Sequence, residues 1–144
     1  MTEQSYRNHR RVVPMYHIAL FGLLVATLVG SLVNLYQSLG DHQRLYSASL
    51  IVALMIAALL LFFFCRIFAL KAQDRAIRAE ENLRHFVLTG KLLDSRLTTL
   101  QIVGLRFASD GEFPKLAQKA ADEKLTPDAI KKAIGQWRPD FYRV

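Results

Sequence analysis

Cysteine is nearly missing from this chain: Cys65 stands alone among 144 residues. One thiol closes no internal disulfide and builds no Cys-based zinc site within a single chain, and it says nothing about redox compartment. The P-loop, HExxH, GxSxG and GxGxxG patterns are absent too, so the common phosphate, zinc, acyl-transfer and dinucleotide chemistries have no signature here. His9, His17, His42 and His85 are scattered over a tail, two edges of apolar runs and a charged stretch, which is no spacing for one metal site. No enzyme, metal or cofactor is expected. His17, beside Tyr16, reads as a membrane-edge residue rather than a haem or quinone ligand.

Charge is missing from two long stretches. Hydrophobic residues make up 52% of the chain and charged residues 22%, yet the mean hydropathy is +0.18, so the apolar residues are segregated. Met15 to Tyr36 runs 22 residues without a formal charge, about 33 Å as a helix and enough to cross ~30 Å of hydrocarbon. Leu45 to Cys65 supplies 21 more uncharged residues, and apolar character continues past Arg66 to Leu70. Uncharged runs of this length are foreign to so small a water-soluble protein. The expected fold class is an all-α membrane protein: a two-helix transmembrane hairpin whose second helix extends into the cytoplasm, followed by short C-terminal helices. The expected division is a basic cytoplasmic segment over 1–14, a hairpin over 15–70 and a cytoplasmic helical region over 71–144. Within the hairpin the spans cover about 15–36 and 45–70, and an external loop covers 37–44.

The first span is too long for a cleaved signal peptide and reads as a retained anchor. Arg7, Arg10 and Arg11 precede it against Glu3, the loop holds only Asp41 and Arg44, and fifteen of the nineteen basic residues lie from Arg66 onward. Both termini are therefore expected in the cytoplasm. Arg10, Arg11, Arg66 and Lys71 are the expected anchors to the membrane surface, their stems along acyl chains and their heads at phosphate.

Small residues recur within the spans. Gly22, Ala26, Gly30 and Asn34 form one stripe of the first helix, and Ser49, Ala53 and Ala57 repeat the spacing in the second. Such stripes allow close backbone approach where lipid supplies no hydrophobic drive. The simplest expectation packs stripe on stripe within one hairpin; the alternative packs them between subunits. On either, Gly30→Leu is damaging and Leu28→Ile, nearly opposite on the helix, is tolerated. Past the membrane, Ala69, Ala72, Ala76, Ala79, Leu83 and Phe86 follow a three-four seam that either the C-terminal helices or neighbouring subunits would cover. Gly90 is the natural helix stop, Thr98 and Thr126-Pro127 read as helix starts, and Ser109-Asp110-Gly111 reads as a turn.

Lys131 and Lys132 in the last helix could meet phosphate, but Asp122, Glu123, Asp128 and Asp140 interleave and leave no basic face, so nucleic acid is not an expected partner. Membrane lipids, further copies of the chain or a larger membrane complex are. The run from Ala69 to Thr98, with LRFASDGE and the C-terminal IKKAIGQWRPDFYRV, resembles a bacterial family of small two-span membrane proteins catalogued as a domain of unknown function. The resemblance covers nearly the whole chain, with its distinctive words at Arg75–Arg84 and Trp137–Val144. It implies the same topology and a bacterial inner membrane, and it brings no catalytic residues. The expected role is a non-enzymatic structural or accessory membrane protein. The alternative is a component of a small oligomeric channel or transporter, with Thr27, Ser31 and Asn34 lining a path between copies.

The expected orientation is open to labelling in intact cells. A Gln43→Cys variant should react with an impermeant thiol reagent added outside, and a Ser5→Cys variant should not; the reverse pattern would overturn the cytoplasmic assignment.

Overall fold

The computed structural model describes residues 4–9 and 11–141, so Arg10 lies outside the described residues. Their regular structure is helical: a π-helical segment Met15–Leu20, then α1 (Phe21–Gln37), α2 (His42–Thr89), α3 (Thr99–Leu105), α4 (Phe113–Asp122) and α5 (Pro127–Ala133). No strand occurs among them, only one isolated antiparallel bridge between Ala108 and Trp137. The chain forms two compact units, Val12–Phe68 and Met1–Arg11 with Ala69–Val144, and α2 contributes residues to both.

The Val12–Phe68 unit is a helical hairpin. Ser38 ends α1, its hydroxyl donating to the Asn34 carbonyl at 2.8 Å, and Asp41 starts α2 by accepting from the Gln43 and Arg44 amides. The shielded residues of α1 and its cap are Leu24, Leu28, Ser31, Leu35 and Ser38; those of α2 in this unit include Leu45, Ala48, Val52, Met55, Leu59 and Phe62, with Ala58 beside Leu59. Both sets keep the three-four rhythm of helices packed at a shallow angle. Ala48 is 1% exposed and Ser31 6%, so small side chains do sit where the helices approach. The Ser31 hydroxyl is satisfied within its own helix by the Leu28 carbonyl at 2.8 Å. At the open end the Tyr16 ring stacks on Phe62 at 4.3 Å between centroids, and its hydroxyl donates to the Phe62 carbonyl.

The glycine stripe lies elsewhere. Gly22, Ala26, Gly30 and Asn34 are exposed, as are Ser49, Ala53 and Ala57, and a Cβ placed on Gly22 or Gly30 meets nothing within 4 Å. The expected stripe-on-stripe packing within one hairpin is therefore replaced by the leucine and serine seam on the opposite side of α1. Within one hairpin the contrast drawn between Gly30 and Leu28 reverses with it, since Leu28 is the half-buried one. Leucine at the correct seam positions carries no distinctive signal in a run where most residues are apolar.

In the other unit, Thr98 caps α3 with a reciprocal bond pair to Gln101, Thr126 caps α5 by accepting from the Ala129 amide, and Gly90 closes α2 at φ +73°. The core is built from Leu97, Ile102, Leu105, Phe107, Phe113, Leu116, Ile130 and Ile134, with Ala108, Ala117, Ala120 and Ala121 filling in. Gly104 lets α3 lie close to the start of α5: a Cβ there would stand 3.2 Å from the Pro127 carbonyl oxygen. Arg96 ties the segment before α3 to the end of α4, bridging Asp94 at 2.6 Å and Asp122 at 2.8 Å. That guanidinium holds the Asp94 carboxyl down at about 2.

Overpacking at the seam is the informative perturbation. Ala48→Leu should destabilise the hairpin by roughly 1–3 kcal/mol, whereas Gly30→Ala should leave its stability unchanged or raised because the site is open and alanine favours helix. Thermal unfolding of the two variants in detergent checks this.

Candidate functional site

Polar chemistry gathers on one side of the Ala69–Val144 unit. In the first turns of α2 beyond Ala69, Ile77 is buried and Glu81 is 5% exposed, which places the inward face on Gln73, Ile77, Glu81 and Arg84. Spacing of four and three residues brings these side chains to one side of the helix. Arg84 leaves only 11% of its side chain exposed and is fully engaged. It meets Glu81 at 2.8 Å and Asp110 at 2.6 Å, donates to the Ala108 carbonyl at 2.7 Å, and lies 4.4 Å above the Phe113 ring. Glu80 stands four residues from Arg84, the usual helix spacing for an ion pair, but Arg84 pairs with Glu81, which shares its buried side.

Beside this cluster runs a groove of about 560 Å³, bordered by Arg11, Gln73, Ile77, Arg106, Arg138 and Asp140. A smaller hollow of about 350 Å³ adjoins it over Arg84, Asp110 and Arg138. Arg106 pairs with Asp140 at 3.0 Å and lies over the Phe107 ring at 4.6 Å, while Arg138 reaches Glu81 at 3.7 Å. Burial pushes the Glu81 carboxyl above its ordinary 4.5, against the pull of Arg84 and Arg138. The groove thus alternates arginine with carboxylate along its walls, an arrangement suited to holding segments together.

The segments held include the N-terminal residues. Gln4 exchanges bonds with the Asp140 backbone, accepting from its amide at 2.7 Å. Tyr6 donates to Asp128 at 2.6 Å, the His9 ring packs near Phe107 and Trp137, and Arg11 donates to the Phe141 carbonyl at 2.9 Å. A stretch expected as a basic tail is a strap across the C-terminal helices. Its signal is faint: Tyr6 and His9 among polar and basic residues, with partners about a hundred or more positions away.

The other expected residues are dispersed. Arg66 and Ala69 are half-buried and Lys71 is exposed. Ala72, Ala76, Ala79, Leu83 and Phe86 lie on the open side of α2, Leu83 being 63% and Phe86 49% exposed, so the C-terminal helices do not cover this seam. His85 donates from Nδ1 to the Lys91 carbonyl at 2.7 Å and meets Phe113 edge-on. Among the described residues no three His, Cys, Asp or Glu side chains converge as a metal ion would need.

Residues 1–144 match the model of a family of unknown function, DUF6526, and the chain belongs to that family. No curated protein and no solved structure matches it.

Removing Arg84 would strand Glu81 in a buried position. Arg84→Ala should cost ~3 kcal/mol or more, and Glu81→Gln, which keeps shape and hydrogen bonding, within about 1 kcal/mol. Because the folded-state Glu81 carboxyl titrates above its unfolded 4.5, protonation favours folding. That contribution is full below pH 4.5 and is lost as pH rises through the raised value, so Glu81→Gln should flatten this part of the stability profile. Unfolding of both variants from acid to neutral pH measures the two effects.

Proposed function

We propose that this chain is a non-enzymatic structural or accessory protein of the bacterial inner membrane, in which a hairpin anchors a cytoplasmic helical platform. The platform assembles through helix packing, as a homo-oligomer or as a small subunit of a larger membrane complex. One observation carries the reading. The helices Met15–Gln37 and His42–Thr89 are long and apolar enough to cross a membrane, and their most apolar stretches are only 6% and 11% buried within the protein. The core helix of a water-soluble protein would be covered by its own chain. Helices that expose leucine, isoleucine and phenylalanine on most sides are matched by hydrocarbon instead.

Two further features agree. The strap from Gln4 to Arg11 packs on the C-terminal helices, in agreement with two crossings that leave both segments on one side of the bilayer. The basic residues flanking the spans make that side the cytoplasm. The polar clusters are spent on joining segments. The channel reading is less well supported, since Ser31, one of its three polar groups, is buried in the hairpin seam with its hydroxyl bonded to Leu28.

Extraction and purification from native membranes in mild detergent is the test. The protein should resist alkaline carbonate and migrate with larger partners or as a defined homo-oligomer. Release by carbonate would overturn the membrane reading, and a monodisperse single-chain particle would overturn the assembly.

A further inference from the structure

The open face of α2 beyond the apolar run is left uncovered by the described residues, and its pattern states what fits it. Ala69, Ala76 and Leu83 alternate with Ala72, Ala79 and Phe86 at the spacing of the two core positions of a heptad repeat. Ile77, Glu81 and Arg84, bound into the C-terminal helices, occupy the opposite side of the helix. From Ala72 to Phe86 the seam is exposed, while Ala69 is half-buried and Ala76 and Glu80 also border the groove. Alanine at four of the six positions permits close approach, and the bulky end at Leu83 and Phe86 is widened by Val87, 74% exposed.

We infer that this face pairs with the same face of a second copy, as a parallel two-helix coiled coil over Ala69–Phe86. This deepens the assembly reading and rests on it. The flanking charges choose the partner and its direction. Arg75 and Glu80 border the seam on opposite sides, both exposed, five residues apart. In a parallel pair a residue in the first of these positions lies beside the residue five further along the partner helix. Arg75 of each copy then meets Glu80 of the other, making two symmetric ion pairs. An antiparallel pair sets each flank against its own kind, arginine to arginine and glutamate to glutamate. Parallel is also the direction that a shared membrane orientation imposes on two copies of α2. Confinement to one bilayer raises their effective concentration, so a short, alanine-rich seam suffices.

The test is disulfide cross-linking in intact native membranes, in a Cys65→Ser background because Cys65 is exposed and one seam step before Ala69. Ala79→Cys, at the seam, should give a cross-linked homodimer on mild oxidation. Arg78→Cys, exposed on the neighbouring outer side, should give severalfold less. Adding Arg75→Glu to Ala79→Cys should lower the yield severalfold, and adding Glu80→Arg as well should restore it. Unchanged thermal unfolding of the charge variants separates loss of pairing from loss of fold. Absence of a dimer at Ala79→Cys, equal yields at both positions, or an adduct with a different protein would each overturn the inference. A protein that is membrane-bound but not cross-linked refutes the pairing alone; one absent from the membrane fraction refutes the reading beneath it.

Discussion

Among the polar links between α2 and the C-terminal helices, one guanidinium makes the most contacts. Arg84 is almost wholly withdrawn from solvent, and it satisfies a carboxylate from its own helix, a carboxylate from the turn before α4 and a backbone carbonyl at the end of the α3 segment, with its face on Phe113. A lysine could supply the charge but not this fork of planar donors. Around it the rest follows: Glu81 is tolerable in a buried place because Arg84 is there, Arg138 comes in over Glu81, and Asp140 is brought to Arg106 and to Gln4. The long helix thereby acquires a fixed inward side, and its alanine seam a fixed outward one.

What could be read from the sequence divides along the length scale of the interactions. Local signals were legible. The long apolar runs, the capping residues Thr98 and Thr126, the left-handed stop at Gly90 and the turn after Ala108 each depend on a few neighbouring residues, and the helices form where these signals put them. The all-helical class follows from them.

Choice of face was not legible in the same way. In the hairpin, attention falls on Gly22 and Gly30 because small residues are conspicuous, yet the helices meet through Leu24, Leu28, Ser31 and Leu35. In a segment apolar on all sides, periodicity separates the faces weakly. The polar cluster was missed for a related reason. Charges four apart on a helix look like a solvated surface pair, and only the fold reveals that Glu81 and Arg84, three apart, are the buried ones. The strap from Gln4 to Arg11 carries its partners at the far end of the chain, where no local rule reaches.

That separation bears on the order of events during synthesis. The Gln4 side chain and the Asp140 backbone that it binds are 136 positions apart, nearly the full length of the chain. Gln4 must wait, undocked, until Asp140 has been made. The α3, α4 and α5 helices close on near neighbours in sequence and form early by comparison, since loop closure over short distances costs less entropy. The strap is thus a late latch that fastens in steps: His9 finds Phe107 and Tyr6 finds Asp128 before Gln4 can reach Asp140.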